Sequence, residues 1–218
     1  PDNVCGNVHA YKGDVEKGFA ESEVIIERNY KTGFVEHAYI EPEAVIAVPS
    51  RMRRELTIMG SLQAPYNARI TLSRMLNIPM AQVIMRPSVV GGSFGGKIEG
   101  AEAMTVRAGL IALKTGRPVK YALTREESIR ETYKRHPIEF DVKIGAMKDG
   151  TLKSVKVEAL ADAGCYINMS PPVMYKTATL GPGPYRYDNL DYNATSVLTN
   201  NPHTGSMRGF GTPQAIYA

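Results

Sequence analysis

The segment Gly91-Gly92-Ser93-Phe94-Gly95-Gly96-Lys97 constrains this chain more than any other. Four glycines in seven residues free the backbone to take angles that other residues avoid. Their N–H groups can then approach an anion or an oxo ligand with no side chain in the way. The residues before the loop, Gln82 to Val90, read as a strand around Pro87, which marks an edge or a bend. The residues after it, Glu99 to Lys114, read as a buried helix, Ala-rich and apolar over most of its surface. A strand, a glycine loop and a helix in succession predict a ligand-binding turn, with the helix N-terminus adding positive partial charge.

The surrounding chain supplies a soluble scaffold. An apolar fraction of 43% and a charged fraction of 22% in 218 residues exclude a disordered tail, a collagen and a disulfide scaffold. No apolar run approaches the roughly 20 residues that cross a bilayer. The net charge is +4 and the basic residues are dispersed. The densest group, Arg51, Arg53 and Arg54, reads as a solvated face, so no nucleic-acid partner is expected. Cys5 and Cys165 match no metal or redox spacing. Two reduced thiols and no signal peptide suggest a cytoplasmic protein. The start without Met and the stop at Ala218 suggest a piece of something longer.

Val24–Tyr30, Tyr39–Val48, Leu56–Met59, Val119–Leu123 and Tyr192–Leu198 carry the composition of strands. Ile138–Ala146 and Leu152–Ala161 alternate around Lys148-Asp149-Gly150, a hairpin signal. Ala64–Leu76 has near-helical apolar spacing. Thr124 with Glu127 makes a capping box for a short polar helix ending before Pro137. Gly164–Gly205, rich in Pro, Tyr, Asn and Gly, reads as a long loop apart from its one strand. Strands and helices mix without a strict β-α-β rhythm, so the fold class expected is α+β.

Two ligand classes fit the loop. Gly91 through Lys97 matches the first seven positions of a phosphate-binding G-x-x-x-x-G-K-[ST] motif. The eighth is Ile98, which has no hydroxyl for Mg²⁺, and no clear second metal-binding Asp follows a strand.

The second class draws on more of the chain. Gly92-Ser93-Phe94-Gly95-Gly96-Lys97 resembles the glycine loop of the molybdenum hydroxylases, the xanthine dehydrogenase and aldehyde oxidase family. Glu36-His37-Ala38-Tyr39-Ile40-Glu41-Pro42 resembles that family's early His-x-Tyr/Phe-x-Glu motif, and Leu62-Gln63 its Thr-Gln segment. Met207-Arg208-Gly209-Phe210-Gly211-Thr212-Pro213-Gln214 is similar to its Arg-Gly-Phe-Gly-x-Pro-Gln motif. The four segments run in the family's order and span the chain from about Ala20 onward.

The resemblance implies a molybdenum–molybdopterin cofactor held without a direct side-chain ligand. Gln63 would donate its neutral amide toward an oxo group. Phe94 and Gly95 would turn backbone N–H groups to the same centre, and Arg208 would offer its guanidinium beside the cofactor. Phe210 would stack on a flat substrate. Ile98 stands where purine-oxidising members carry Glu, and Lys176 where they carry a substrate-binding Arg, so an aldehyde or an aromatic heterocycle is the expected substrate. No catalytic residue is assigned, because the family's general-base glutamate lies downstream. Glu41 and Glu43 do not match its motif. Residues 1–218 are expected to be part of the cofactor-binding region, with a possible subdivision near 124–137, and inactive alone. [2Fe-2S] and FAD would sit on partner domains or subunits. A nucleotide-binding module and a non-catalytic scaffold are the alternatives.

Overall fold

The computed structural model describes residues 3–50, 52–53 and 55–218. Arg51 and Arg54, two members of the basic cluster, lie outside the described residues. The chain divides into two units. One contains the chain up to Val35, Lys134–Gly205 and Gly209–Ala218. The other contains Glu36–Tyr133 and the short return segment Ser206–Arg208.

In the first unit, β1 (Val4–Lys12), α1 (Val15–Ala20) and β2 (Val24–Lys31) come first. The second unit holds β3 (Ala44–Ser50), β4 (Glu55–Gly60), α2 (Pro65–Leu76), β5 (Val83–Pro87), α3 (Glu99–Thr115), β6 (Val119–Ala122) and α4 (Arg125–Glu131). The chain then completes the first unit with β7 (Ile138–Ala146), β8 (Leu152–Gly164), α5 (Ser170–Leu180), β9 (Asn189–Leu198) and α6 (Thr212–Tyr217).

Each unit is built on one mixed sheet. The first has strand order β1-β9-β8-β7-β2, the second β5-β4-β3-β6. Each has one parallel pair, β8 with β9 and β4 with β5, and α5 and α2 lie between those strands in the chain. The remaining pairs are antiparallel. This is the α+β class expected from the sequence. The second unit's core joins Ile58 and Leu56 of β4, Leu72 of α2 and Ala108 and Ala112 of α3. Full burial of an Ile or Leu contributes about 1.5–3 kcal/mol.

Several local expectations hold. Met147 and Thr151 close the β7–β8 turn, with Gly150 at φ +91°. Thr124 accepts from the Glu127 N–H while Glu127 accepts from the Thr124 N–H, completing the capping box.

Others need correction. Residues 39–43 are not strand: Ala38 at φ +48° turns the chain before β3 begins at Ala44. β5 ends at Pro87, on the sheet edge that a missing N–H favours. The helix after the glycine loop buries one face only, leaving Leu110, Ile111 and Leu113 exposed. The supposed long loop from Gly164 contains α5. Pro171 and Pro172 occupy its first turn, where a missing N–H leaves no bond unmade, so they start a helix rather than break one. No helix among the described residues is long and apolar enough to cross a membrane.

Candidate functional site

The glycine loop lies in the second unit, and segments distant in the sequence close on it there. Gly95 N–H donates to Gln63 Oε1 at 3.1 Å. Gln63 N–H donates to Lys97 O at 3.0 Å, so loop and glutamine hold each other. Arg208 N–H donates to Phe94 O at 2.8 Å, docking the return segment beside the loop. His37, with its side chain buried, sets Nε2 2.7 Å from Ser206 O. A carbonyl only accepts, so Nε2 carries the proton. Tyr133 donates its hydroxyl to Gly95 O, and burial pushes that phenol far above its ordinary pKa, so it stays a donor.

The backbone here is unusual. Phe94 has φ +48° and Gly95 φ +102°. A left-handed Phe is strained, and such strain persists only where neighbours fix it. Phe94 is 47% exposed, so full burial of its ring does not offset the strain. Gly95 is required by space as well as angle: a Cβ there would lie 2.7 Å from Ser206 O.

Gln63 and Arg208 are exposed. The Gln63 oxygen is taken by Gly95, so the group left to meet a ligand is its Nε2 amide, a neutral donor. Gly95 differs from expectation here, because its N–H orients Gln63 instead of pointing outward. Among the described residues, no group of three or more His, Cys, Asp or Glu is placed to hold a metal ion. The amide of Gln63 and the guanidinium of the exposed Arg208 are both hydrogen-bond donors. They fit an acceptor-rich, oxo-bearing group such as the expected cofactor.

Lys97 is the main surprise. Its side chain is wholly buried, with Nζ 2.7 Å from Glu41 Oε2 and 3.0 Å from Ser61 Oγ. A lysine turned inward cannot reach phosphates, so the nucleotide-binding alternative loses its cation. Sequence reasoning assigned no role to Glu41, His37 or Ser61, whose partners are far off in the chain.

Ile98 is the half-buried N-cap of α3, its N–H donating to Gly95 O at 3.2 Å. Glu99 follows, its carboxyl pushed up by burial and its Oε1 accepting from Ser206 Oγ at 3.4 Å. Phe210 and Lys176 belong to the other unit. Phe210, at φ +54°, packs against that unit's core, and Lys176 is exposed on α5. Gln63, Phe94, Gly95 and Arg208 are thus brought together by hydrogen bonds within one unit. Phe210 and Lys176 are not part of that network.

Two residues beyond Glu41 lies Glu43, only 1% exposed. Burial raises its pKa above the ordinary 4.5. A raised folded pKa supplies stability that is complete below pH 4.5 and lost as pH rises through the folded value. Glu43→Gln removes that titration. The variant's stability relative to wild type is therefore expected to improve steadily as pH rises from 4.5. Denaturant unfolding across pH checks this, and a pH-independent difference contradicts it.

The sequence profile of the molybdopterin cofactor-binding domain matches residues 1–218, and the chain belongs to that family. It is 38% identical over 218 residues to a probable xanthine dehydrogenase subunit from Bacillus subtilis (strain 168), covering 99% of this chain and 29% of that protein. It is 36% identical over 213 residues to the nicotinate dehydrogenase large molybdopterin subunit of Eubacterium barkeri, covering 96% of this chain and 49% of that one. The fold matches the aldehyde oxidoreductase from Desulfovibrio gigas with a TM-score of 0.91 at 25% identity, over 99% of this chain and 24% of that one. The chain spans between about a quarter and a half of the length of these relatives.

Proposed function

We propose that this chain is the first cofactor-binding part of a cytoplasmic molybdenum hydroxylase that oxidises an aldehyde or an aromatic heterocycle with oxygen from water. The observation that carries this reading is the meeting of Gln63, Phe94, Gly95 and Arg208 in one hydrogen-bonded group. Residues 1–218 form one stretch of the cofactor-binding region, with an internal division near 124–137. When bound, the molybdenum–molybdopterin group supplies two-electron oxidation of a C–H carbon.

The chain's own residues bind and orient. Gln63 Nε2 donates to an oxo group, its direction held by Gly95. Arg208 places a permanent cation beside the cofactor. The exposed Phe94 ring covers the loop and keeps water from it. By the family resemblance, Phe210 stacks on a flat substrate, and Lys176 takes the position of the family's substrate-binding Arg. The general-base glutamate comes from the remaining part of the molybdenum subunit. [2Fe-2S] and FAD domains or subunits take the two electrons.

Relatives are named for xanthine, for nicotinate and for aldehydes. Ile98 favours the last two substrate classes, because its side chain offers a purine no hydrogen bond. The holoenzyme is expected to show a kcat/KM on xanthine roughly 100-fold or more below that on its best aldehyde or N-heterocycle. Equal values contradict the reading of Ile98. Residues 1–218 alone are expected to be inactive, and hydroxylation with stoichiometric molybdenum in that piece overturns the proposed division of the site.

A further inference from the structure

We infer that Glu41, Lys97 and Ser61 form a clasp that sets the shape of the glycine loop and, through it, the direction of the Gln63 amide. They are positioning residues. What the amide meets rests on the function proposed above, but the clasp itself does not.

One oxygen lies at its centre. Glu41 Oε2 accepts from Gly91 N–H at 2.7 Å, from Lys97 Nζ at 2.7 Å and from Ser61 Oγ at 2.8 Å. These are the first residue of the loop, its last residue, and the residue just after β4. One carboxylate thus closes both ends of the loop onto the strand that leads to Gln63. Backbone approach tightens the closure. Glu41 N–H donates to Gly91 O at 3.2 Å, and a Cβ at Gly91 would lie 2.7 Å from Glu41 Cβ.

Lys97 shows that the closure is specific. A lysine that only covers apolar surface keeps its ammonium in water. This ammonium is buried, and a buried charge needs fixed partners. Lys97 Nζ has Glu41, Ser61 and the face of Tyr39, 4.8 Å from the ring centroid. Lys97 Nζ above all, then Gly91 N–H and Ser61, outweigh desolvation and hold the Glu41 carboxyl down to a pKa of about 2, so Glu41 stays ionised at ordinary pH.

The route from clasp to amide is short. Lys97 O accepts from Gln63 N–H, and Gly95 N–H donates to Gln63 Oε1. If Lys97 leaves its pocket for water, its carbonyl moves and Gln63 loses both constraints.

The test is hydrogen exchange at single amides in the full-length protein without cofactor. In Glu41→Gln, exchange at Gly91, Gly95 and Gln63 is expected to accelerate roughly tenfold or more. Ile58, in the buried centre of β4, is expected to keep its wild-type rate. Glu41→Asp, which retains the charge with a shorter reach, is expected to fall between. Ser61→Ala, which keeps the ion pair, is expected to accelerate the same three amides by a smaller factor and serves alone if Glu41→Gln does not fold. Wild-type rates at Gly95 and Gln63 in either variant overturn the inference. So does equal acceleration at Ile58, which marks a general loss of stability. The readout needs no cofactor. A wild-type protein that never holds pterin therefore sinks the proposed function and leaves the clasp intact. Unchanged exchange in a pterin-binding protein does the reverse.

Discussion

Gly95→Ala is expected to destabilise the second unit by about 2–6 kcal/mol, the sum of two separate effects. The first is the backbone angle. Gly95 has φ +102°, where an L side chain costs roughly 1–3 kcal/mol. The second is space. The new Cβ would sit 2.7 Å from Ser206 O, 3.0 Å from Ser206 C and 3.1 Å from Met207 Cα. All three are backbone atoms, so no side chain can swing aside, and overpacking of this kind costs roughly 1–3 kcal/mol. Relief requires the return segment to move off, taking with it the Arg208 N–H that holds Phe94 O. Gly150→Ala is the control. Its φ is +91°, but nothing lies within 4 Å of the added methyl, so it carries the angle effect alone. Denaturant midpoints of the two variants separate the terms. A Gly95→Ala protein no less stable than Gly150→Ala would show that the close approach to Ser206 is not a constraint.

Gln63→Glu is expected to separate folding from cofactor retention. A carboxylate at this position still accepts from Gly95 N–H, so stability is expected to stay within about 0.5 kcal/mol of wild type. What disappears is the Nε2 donor, replaced by a negative charge facing an acceptor-rich group. Retention of pterin is expected to fall roughly 10–100-fold, the range for losing a supporting contact around a metal centre. Gln63→Ala loses the acceptor too. It leaves the buried Gly95 N–H unpaired, at a cost of about 1–3 kcal/mol. The expected order is therefore Glu close to wild type and Ala lower in stability, with both depleted in pterin. Wild-type pterin content in Gln63→Glu would show that the amide's donor is not used.

Local chemistry is readable from the sequence wherever the interaction is local. The Thr124–Glu127 box, the Asp149-Gly150 turn and α2 depend on residues a few positions apart, and each is present. Composition misleads where context decides. Pro171 and Pro172 suggest a loop but start α5, and the apolar residues of α3 suggest burial on every side. At the site, the glycine loop is visible because strand, glycines and helix are contiguous. The clasp is not. Glu41 is 20 residues from Ser61 and 56 from Lys97, and no spacing rule joins them. Read alone, Lys97 looks like a phosphate ligand. Only the fold shows its ammonium engaged by Glu41, Ser61 and Tyr39. The one local hint is the Glu36–Pro42 motif, whose His37 and Glu41 both brace the loop and its neighbour.

The proposed function requires that the network of Gln63, Phe94, Gly95 and Arg208 hold a molybdopterin cofactor. The molybdenum and pterin content of the full-length protein, purified from cells supplied with molybdate, decides this. Elemental analysis measures the metal, and fluorescence of the released, oxidised pterin measures the organic part. Close to one of each per chain is expected in wild type, with both falling together in Gln63→Glu. A folded wild-type protein that carries neither would contradict the proposal.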